Sequence, residues 1–265
     1  MFHLQKFVIA SIIMLFLLAN FANADLKNGL VLYLPLDEGS GTVVHDQSGN
    51  KHDGKINGAT WINGQFGKAL NFNGTDNFVE IPYANDFAIA DGITLGAWVN
   101  ANVPFPENWK AVINARKSTY GPYLLQTGAS PAAPLGEMGI YIGGAWTWAQ
   151  TKTPLDKSFH HLVGTFDATK GYVMYLDGKQ NVGPTSGGAK GNIDIDKGKE
   201  GVTIGHGYGF APRWWSGIID EVVIYNRAIT EDEVAQLFKA SLSNLLAVGS
   251  AGKLSTTWGE IKEMR

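Results

Sequence analysis

The sequence predicts an all-β protein in which short strands form a sandwich or a barrel. Short apolar runs recur along the chain and are bounded by Gly, Asn, Asp and Pro, the residues that favour turns. Gly occurs 33 times and Trp 8 times, whereas charged residues make up only 17% of the chain. This combination is typical of strands joined by tight turns and not of a disordered chain.

The predicted strands follow one another along most of the chain. In the first, residues 29–37, Leu30, Leu32 and Leu34 share one face while Val31 and Tyr33 share the other. Further strands are predicted at residues 69–72, 78–81, 93–99, 111–114, 123–126, 138–142, 159–166, 172–176, 202–204 and 217–225. The sequence contains no repeat of solenoid length, so we expect one domain.

One turn and one helix have specific local signals. The Asp177-Gly178 pair predicts a type I′ hairpin turn, because both of its central residues must adopt positive φ. Thr230 and Glu233 form the pattern of a capping box, and apolar residues then repeat at helical spacing. We therefore predict one short helix near the C-terminal end of the domain.

The first 24 residues have the organisation of a secretory signal peptide. A short segment with Lys6 precedes the apolar run 7–21, and Ala22-Asn23-Ala24 supplies the small residues that signal peptidase reads. A membrane anchor is the alternative, but about 20 apolar residues are needed to span a bilayer and this run is shorter. We expect a mature chain that starts at Asp25 and is secreted to the extracellular space or the periplasm.

Composition argues against several other classes of function. The formal net charge is −3, and a weakly acidic protein has no electrostatic reason to bind nucleic acid or anionic lipid. The chain contains no Cys, so no disulfide can form. Once the signal is removed, we expect neither membrane insertion nor a nucleic-acid partner.

An ordered set of phrases points to a family. LYLPLDEGSGTVVHDQSGNKHDG, WINGQFGKALNFNGTDNFVEIP, ITLGAWV, FHHLVGTFD with YLDGK, and WSGIIDEVVIYNRAIT occur in this order. Together they resemble the LamG-like jelly-roll family of the concanavalin A-like lectin/glucanase superfamily, over about residues 29–240. The resemblance implies a two-sheet antiparallel jelly-roll sandwich with one short C-terminal helix. We interpret residues 25–240 as this domain and residues 241–265 as a C-terminal tail of unknown role.

The resemblance also implies a range of functions. Such modules belong to secreted or surface proteins that bind glycans or other extracellular partners, and many carry a calcium ion. The superfamily also includes glycoside hydrolases, which usually carry Glu-x-Asp-x-Glu on one strand face. This chain lacks that motif, and its nearest match, Asp194-Ile195-Asp196, has no third acid. Adjacent residues on a strand face opposite ways, so neither Asp220 with Glu221 nor His160 with His161 forms a pair. We predict no catalytic residues.

Three aspartates are candidate calcium ligands. Asp37 ends the first strand, Asp46 begins the loop HDQSGNKHDG, and Asp220 lies on the last long strand. The first and last strands of a jelly roll are often neighbours, so Asp37 and Asp220 could meet, with loop carbonyls completing the shell. The alternative for Asp46 is an Asx turn onto Ser48 and Gly49. The alternative for Asp220 is a pairing with Arg227 or with local amides.

Aromatic clusters mark a candidate ligand surface. We predict that Trp61, Trp98 and Trp215 belong to the core, whereas Trp109 lies in a loop. The candidate ligand-binding residues are Trp146, Trp148, Tyr208, Arg213 and Trp214. Trp146 and Trp148 are two residues apart and share one face of a predicted strand, and the other three belong to a Gly-rich loop. The alternative is that such rings only cap the open ends of the sandwich.

These observations favour a secreted, non-catalytic module that binds carbohydrate or another extracellular partner, with calcium as a candidate structural ion. Two alternatives remain. One is a structural or adhesion protein without a small ligand, and the other is a glycan-active hydrolase or lyase whose site carries no known motif.

Overall fold

The computed structural model describes residues 25–106, 108–115, 121–130, 132–186, 188–195, 201–207 and 213–247. Its strands are Leu30–Leu34 (β1), Val43–Val44 (β2), Gly54–Asn57 (β3), Thr60–Asn63 (β4), Lys68–Asn73 (β5), Phe78–Ile81 (β6), Gly92–Ala101 (β7), Ala111–Asn114 (β8), Tyr123–Thr127 (β9), Leu135–Ile142 (β10), Ala145–Pro154 (β11), Phe159–Asp167 (β12), Gly171–Leu176 (β13), Lys179–Gln180 (β14), Val182–Thr185 (β15), Val202–Ile204 (β16) and Ser216–Tyr225 (β17). A 3₁₀ turn covers Asn85–Phe87, helix α1 covers Glu231–Lys239, and residues 242–247 are also helical.

The strands form two antiparallel sheets. In the described part of the chain, the first sheet has eight strands in the order β14-β13-β12-β7-β17-β5-β4, with β1 also paired to β17. The second has nine strands in the order β15-β11-β10-β9-β8-β16-β6-β3-β2. The main core contains residues from both sheets, among them Leu32, Phe72, Val99, Tyr123 and Ile140. The predicted two-sheet jelly-roll sandwich is confirmed, and so is the expected proximity of the first and last strands.

The predicted turn and helix both form. Asp177 and Gly178 have φ values of 54° and 75° in the hairpin between β13 and β14. The Thr230 hydroxyl accepts the amide of Glu233, and the Glu233 carboxylate accepts the amide of Thr230, which completes the capping box. Helix α1 packs on the outer face of the eight-stranded sheet through a second apolar cluster that includes Val163, Tyr175, Val223, Val234 and Leu237.

Several strands were not among the predicted ones, because their residues are few or polar. Strands β3 and β4 read GKIN and TWIN. Along β11, AWTWAQTKTP, only Ala149 and Thr151 are buried, so the sequence predicted this strand only around Trp146 and Trp148. The prediction that Trp146 and Trp148 share one face of a strand is nevertheless confirmed by the register of β11 on β10.

The first residues of the predicted tail pack against the domain. Leu242 is buried, and its amide donates to Glu221 on β17 at 3.0 Å. The Tyr33 hydroxyl also donates to Glu221, and the amide of Ser243 donates to Tyr33. Residues 241–247 therefore extend the packed structure, while residues 248–265 lie outside the described ones. No helix in the described ranges is both long enough and apolar enough to span a bilayer.

A buried aromatic cluster lies beneath α1. Trp98 stacks on Phe238 with ring centroids 5.3 Å apart, and the imidazole of His161 lies 5.2 Å from the Trp98 ring. Trp98 and Trp215 are buried as predicted, whereas Trp61 is partly exposed and packs against the main core. Burial lowers the pKa of His161 from 6.5 to about 4.

We predict that His161 makes the fold sensitive to acid. The folded state favours the neutral ring, so its contribution is complete above the unfolded pKa of 6.5 and is lost as the pH falls towards 4. Between about pH 7 and pH 4, the free energy of unfolding of the wild-type protein should fall by on the order of 3 kcal/mol relative to that of His161→Phe. Urea denaturation at several pH values measures this difference. The exposed His45, changed to Gln, is the control and should follow the wild type. Parallel curves for wild type and His161→Phe would contradict the prediction.

Candidate ligand-binding site

The outer face of the nine-stranded sheet carries a group of polar and aromatic side chains across β9, β10 and β11. The core side of these strands is formed by Tyr123, Leu125, Met138, Ile140 and Ala149. Side chains alternate along a strand, so the residues between these point away from the core. They are Leu124, Gln126, Glu137, Gly139, Trp148 and Gln150.

These side chains surround a half-open pocket of about 220 Å³. It is lined by Trp109, Leu124, Gln126, Glu137, Gly139, Trp146, Thr147, Trp148 and Arg213. Gly139 lies in its floor, directly opposite Leu124 on one neighbouring strand and Trp148 on the other. A Cβ atom at Gly139 would lie 3.2 Å from Leu124 and 3.4 Å from Trp146, so the absent side chain provides the depth. We call this cavity the Gly139 pocket.

A hydrogen-bonded polar row crosses one end of the Gly139 pocket. Arg213 Nη1 donates to Gln126 Oε1 at 2.8 Å, and Gln126 Nε2 donates to Glu137 Oε1 at 2.6 Å. From the other side, Gln150 Nε2 donates to Glu137 Oε2 at 2.7 Å. Gln126, Glu137 and Gln150 are direct cross-strand neighbours, so the register of the sheet aligns the row.

Burial shifts the acid–base properties of both charged groups in this row. Desolvation raises the pKa of Glu137, although the amides of Gln126 and Gln150 and the charge of Arg213 oppose the shift. Desolvation also lowers the pKa of Arg213, and the Glu137 carboxylate opposes that change. The pocket thus holds one acidic and one basic side chain, each of which favours the charged form of the other.

The backbone of Arg213 is held beside β8, and its side chain forms one wall of the pocket. The amides of Ala111 and Gly207 donate to the carbonyl of Arg213 at 3.1 and 3.3 Å. The Arg213 guanidinium lies 5.5 Å from the centre of the Trp109 ring, a cation–π contact. Trp109 is 38% exposed, so this wall presents an accessible ring.

The predicted ligand residues divide into three groups. Trp146, Trp148 and Arg213 line the Gly139 pocket. Trp214 does not belong to that lining: its ring stacks on His206 at 3.6 Å and lies 5.9 Å from Phe78. Tyr208 lies outside the described residues.

Sequence reasoning missed most of the pocket's floor. It did not single out four polar or small strand residues, because none of them carries a local signal of a pocket: Gln126, Glu137, Gly139 and Gln150. Only the pairing order β9-β10-β11 brings them together, and no local pattern encodes that order.

Comparison with known proteins identifies the family. A family model described as "Concanavalin A-like lectin/glucanases superfamily" matches residues 73–235. The chain belongs to this superfamily.

Known proteins and solved structures resemble this chain to different extents. Over 232 residues the chain is 24% identical to adhesion G-protein coupled receptor D1 of Homo sapiens, covering 85% of this chain and 24% of the receptor. The binding domain of Paraclostridial Mosquitocidal Protein 1 matches with a TM-score of 0.61 at 15% identity, over 81% of this chain and 52% of that one. Domain 4 of AbnA, an extracellular GH43 arabinanase of Geobacillus stearothermophilus solved with arabinotriose, matches with a TM-score of 0.55 at 16% identity, over 78% and 97%. This chain therefore spans about a quarter of the receptor and about half of the mosquitocidal domain, and these structural likenesses show the fold alone.

Among the candidate metal ligands, Asp46 forms the predicted turn bond to the amide of Ser48, while the amide of His52 takes the place predicted for that of Gly49. Its two carboxylate oxygens accept the amides of Tyr33, Ser48 and His52 and the hydroxyl of Ser48, at 2.8–3.0 Å. This is an Asx turn that also fastens the loop to β1. Both oxygens are thus occupied by protein donors.

Asp37 and Asp220 both approach the loop of residues 64–68. Asp37 accepts the amide of Lys68 at 2.7 Å, and the fully buried Asp220 accepts the amide of Phe66 at 3.1 Å. A Cβ at Gly64 would lie 2.4 Å from Asp220 Oδ2 and 2.8 Å from the Lys68 carbonyl, so carboxylate and carbonyl oxygens converge there. Desolvation raises the pKa of Asp220 to about 8. No three acidic or His side chains of the described residues are clustered closely enough to hold a metal, so a calcium ion here would need backbone carbonyls to complete its shell.

A serine–histidine–aspartate arrangement occurs at one end of β12, but its geometry is that of a turn. His160 Nδ1 lies 2.9 Å from Asp177, and Ser158 Oγ lies 3.5 Å from Nε2. Asp156 is nearer to Nε2, at 3.1 Å. Hydrogen bonding to Asp177 and Asp156 outweighs burial and raises the pKa of His160, which favours the imidazolium and not the free base that a nucleophilic serine needs.

Other acids considered for catalysis have structural partners. Asp194 accepts the amide of Gly144 at 2.9 Å, and Asp196 lies outside the described residues. Asp220 and Glu221 diverge, since Asp220 meets Phe66 while Glu221 meets Tyr33 and Leu242.

Proposed function

We propose that this protein is a secreted, non-catalytic module that binds carbohydrate in the Gly139 pocket. The observation that carries the proposal is the combination of three Trp residues with a row of planar polar groups around one open cavity. Aromatic rings pack against the apolar faces of sugars, while amide, carboxylate and guanidinium groups bond to the hydroxyls. Secretion rests on the predicted signal at residues 1–24.

The absence of catalysis is also part of the proposal. Glycoside hydrolysis in most families needs two carboxyl groups on either side of the scissile bond. Of the described residues that line the pocket, only Glu137 carries one. Both of its oxygens already accept side-chain amides. Reducing-sugar release from mixed polysaccharides tests this point, and turnover that is lost in Glu137→Gln would overturn it.

Binding should depend on the rings of β11. Trp148→Ala should weaken glycan retention at least ten-fold, since buried aromatic contacts typically contribute more than about 1.4 kcal/mol. A glycan array followed by isothermal titration measures the effect. Trp61→Ala is the control, because this partly exposed ring lies on β4 of the other sheet. Equal loss in both variants would indicate a stability effect, and full retention by Trp148→Ala would move the site elsewhere. If no glycan is retained by the wild type, the adhesion alternative replaces this proposal.

The depth of the pocket offers an independent test. Gly139→Leu should abolish glycan retention, because its Cβ would already crowd Leu124 and Trp146 at 3.2 and 3.4 Å and the rest of the side chain would displace them or fill the pocket. Gly188→Leu is the matched control, since none of the described residues lies within 4 Å of a Cβ at that position. Both variants should keep the wild-type circular dichroism spectrum. Undiminished binding by a folded Gly139→Leu protein would contradict the proposed pocket.

We further propose that a structural calcium ion binds beside Asp37 and Asp220, away from the Gly139 pocket. An ion that binds only the folded state raises the melting temperature. Calcium at one hundred times its Kd should therefore add about 5 °C or more over an EDTA-treated sample. Asp220→Asn should lose this response, whereas Asp46→Asn should retain it because Asp46 serves the turn. An unchanged melt together with no calcium in elemental analysis would refute the ion.

A further inference from the structure

The Gly139 pocket is bounded on two opposite sides by different elements. On one side, Trp146 and Trp148 rise from β11. On the other, Trp109 and Arg213 form a wall beside β8. Two strand spacings separate β9 from β11, so the floor is about 10 Å wide.

The pocket is also bounded along the direction of the strands. The polar row of Gln150, Glu137, Gln126 and Arg213 crosses one end. At the other end, the Trp146 ring packs edge-on against Tyr141 at 5.5 Å. The floor from Glu137 to Tyr141 spans four residue steps along β10, about 13 Å. The bare backbone of Gly139 therefore lies between higher side chains in both directions.

The sheet does not continue the pocket as an open cleft. In register, Gly139 is followed across the sheet by Leu124, Asn114 and Thr203. Asn114 and Thr203 are each only 1% exposed. The Thr203 hydroxyl donates to the carbonyl of His206 at 2.7 Å, so this part of the face is occupied by the protein itself. A chain that lay across the sheet would meet this covered region beyond Leu124.

The charges of Arg213 and Glu137 compensate each other, and this restricts the kind of sugar that the pocket can bind. Arg213 Nη1 is bonded to Gln126, and the guanidinium is coupled to the buried Glu137 carboxylate. A sugar carboxylate placed here would lie near Glu137 and would compete with it for the same guanidinium. The pocket is therefore better suited to hydroxyl groups than to an acidic substituent.

We propose that the Gly139 pocket binds the end of a neutral glycan chain and not its interior. This inference rests on the proposed function and adds to it the part of the polymer that is recognised. A pocket closed on four sides admits a terminal unit from above, whereas an internal unit needs open passages for the chain on both sides.

Chain ends and chain interiors can be distinguished by stoichiometry. The probes are linear arabino-, cello- and malto-oligosaccharides from two to six units, with a cyclic glucan that has no ends and sialyllactose as the acidic probe. Titration of the best-retained linear series should give one protein per chain at every length, with affinity constant within about two-fold beyond three units. The cyclic glucan should not bind, and sialyllactose should bind at least ten-fold more weakly than neutral lactose.

Two outcomes would overturn the inference while leaving the proposed function intact. One is a number of bound proteins per chain, or an affinity, that keeps rising with chain length. The other is cyclic-glucan binding that Gly139→Leu abolishes. Sialyllactose bound more tightly than lactose would refute the preference for neutral sugars. If none of the probes and no arrayed glycan binds, the proposed function itself fails, which is a different result.

Discussion

The site depends above all on the register of β10 between β9 and β11. That register places Gly139 opposite Leu124 and Trp148, and it places Glu137 opposite Gln126 and Gln150. A slip of β10 by one residue would turn Glu137 towards the core and Met138 and Ile140 towards the outer face. Glu137 would then lose both amide partners, and leaving a buried acceptor unsatisfied costs about 1–3 kcal/mol, more for a charged group. The packing of Met138 and Ile140 in the core and the arrangement of the pocket are thus set by the same pairing.

The wall of the pocket depends on a second contact, away from any ligand. Trp214 stacks on His206, just beyond β16, and approaches Phe78 on β6, which fixes its position beside these strands. Its neighbour Arg213 then points to the other side, towards Gln126 and Trp109. Adjacent aromatic and basic residues therefore have separate tasks, one anchoring the segment and the other completing the polar row. Burial of His206 lowers its pKa to about 4, so the stack holds a neutral ring at neutral pH.

The sequence predicts those features of this protein that depend on residues close together in the chain, and it misses those that depend on strands paired in space. The hairpin at Asp177-Gly178 and the capping box at Thr230 are encoded within a few residues, and both were predicted. The shared face of Trp146 and Trp148 follows from the period of a strand, and it too was predicted. Gly139 and Glu137 were missed because their role arises from strands paired in space, and a glycine in a strand carries no signal of the cavity above it. For the same reason, the sequence could not show that Trp214 and its neighbour Arg213 have different roles.

In the Gly139 pocket, the polar row contributes to selectivity more than to affinity. Gln126, Gln150 and Arg213 are already hydrogen-bonded to each other or to Glu137, so a ligand hydroxyl exchanges one hydrogen bond for another and gains at most about 1 kcal/mol. Burying apolar surface gains roughly 25 cal/mol per Å², so the tryptophan rings must supply most of the affinity. A ligand that breaks a hydrogen bond of the row without replacing it leaves a buried group unsatisfied. The free-energy cost of that group exceeds the gain from exchanging one hydrogen bond for another. The rings therefore hold a sugar, and the row rejects those whose hydroxyls do not match it.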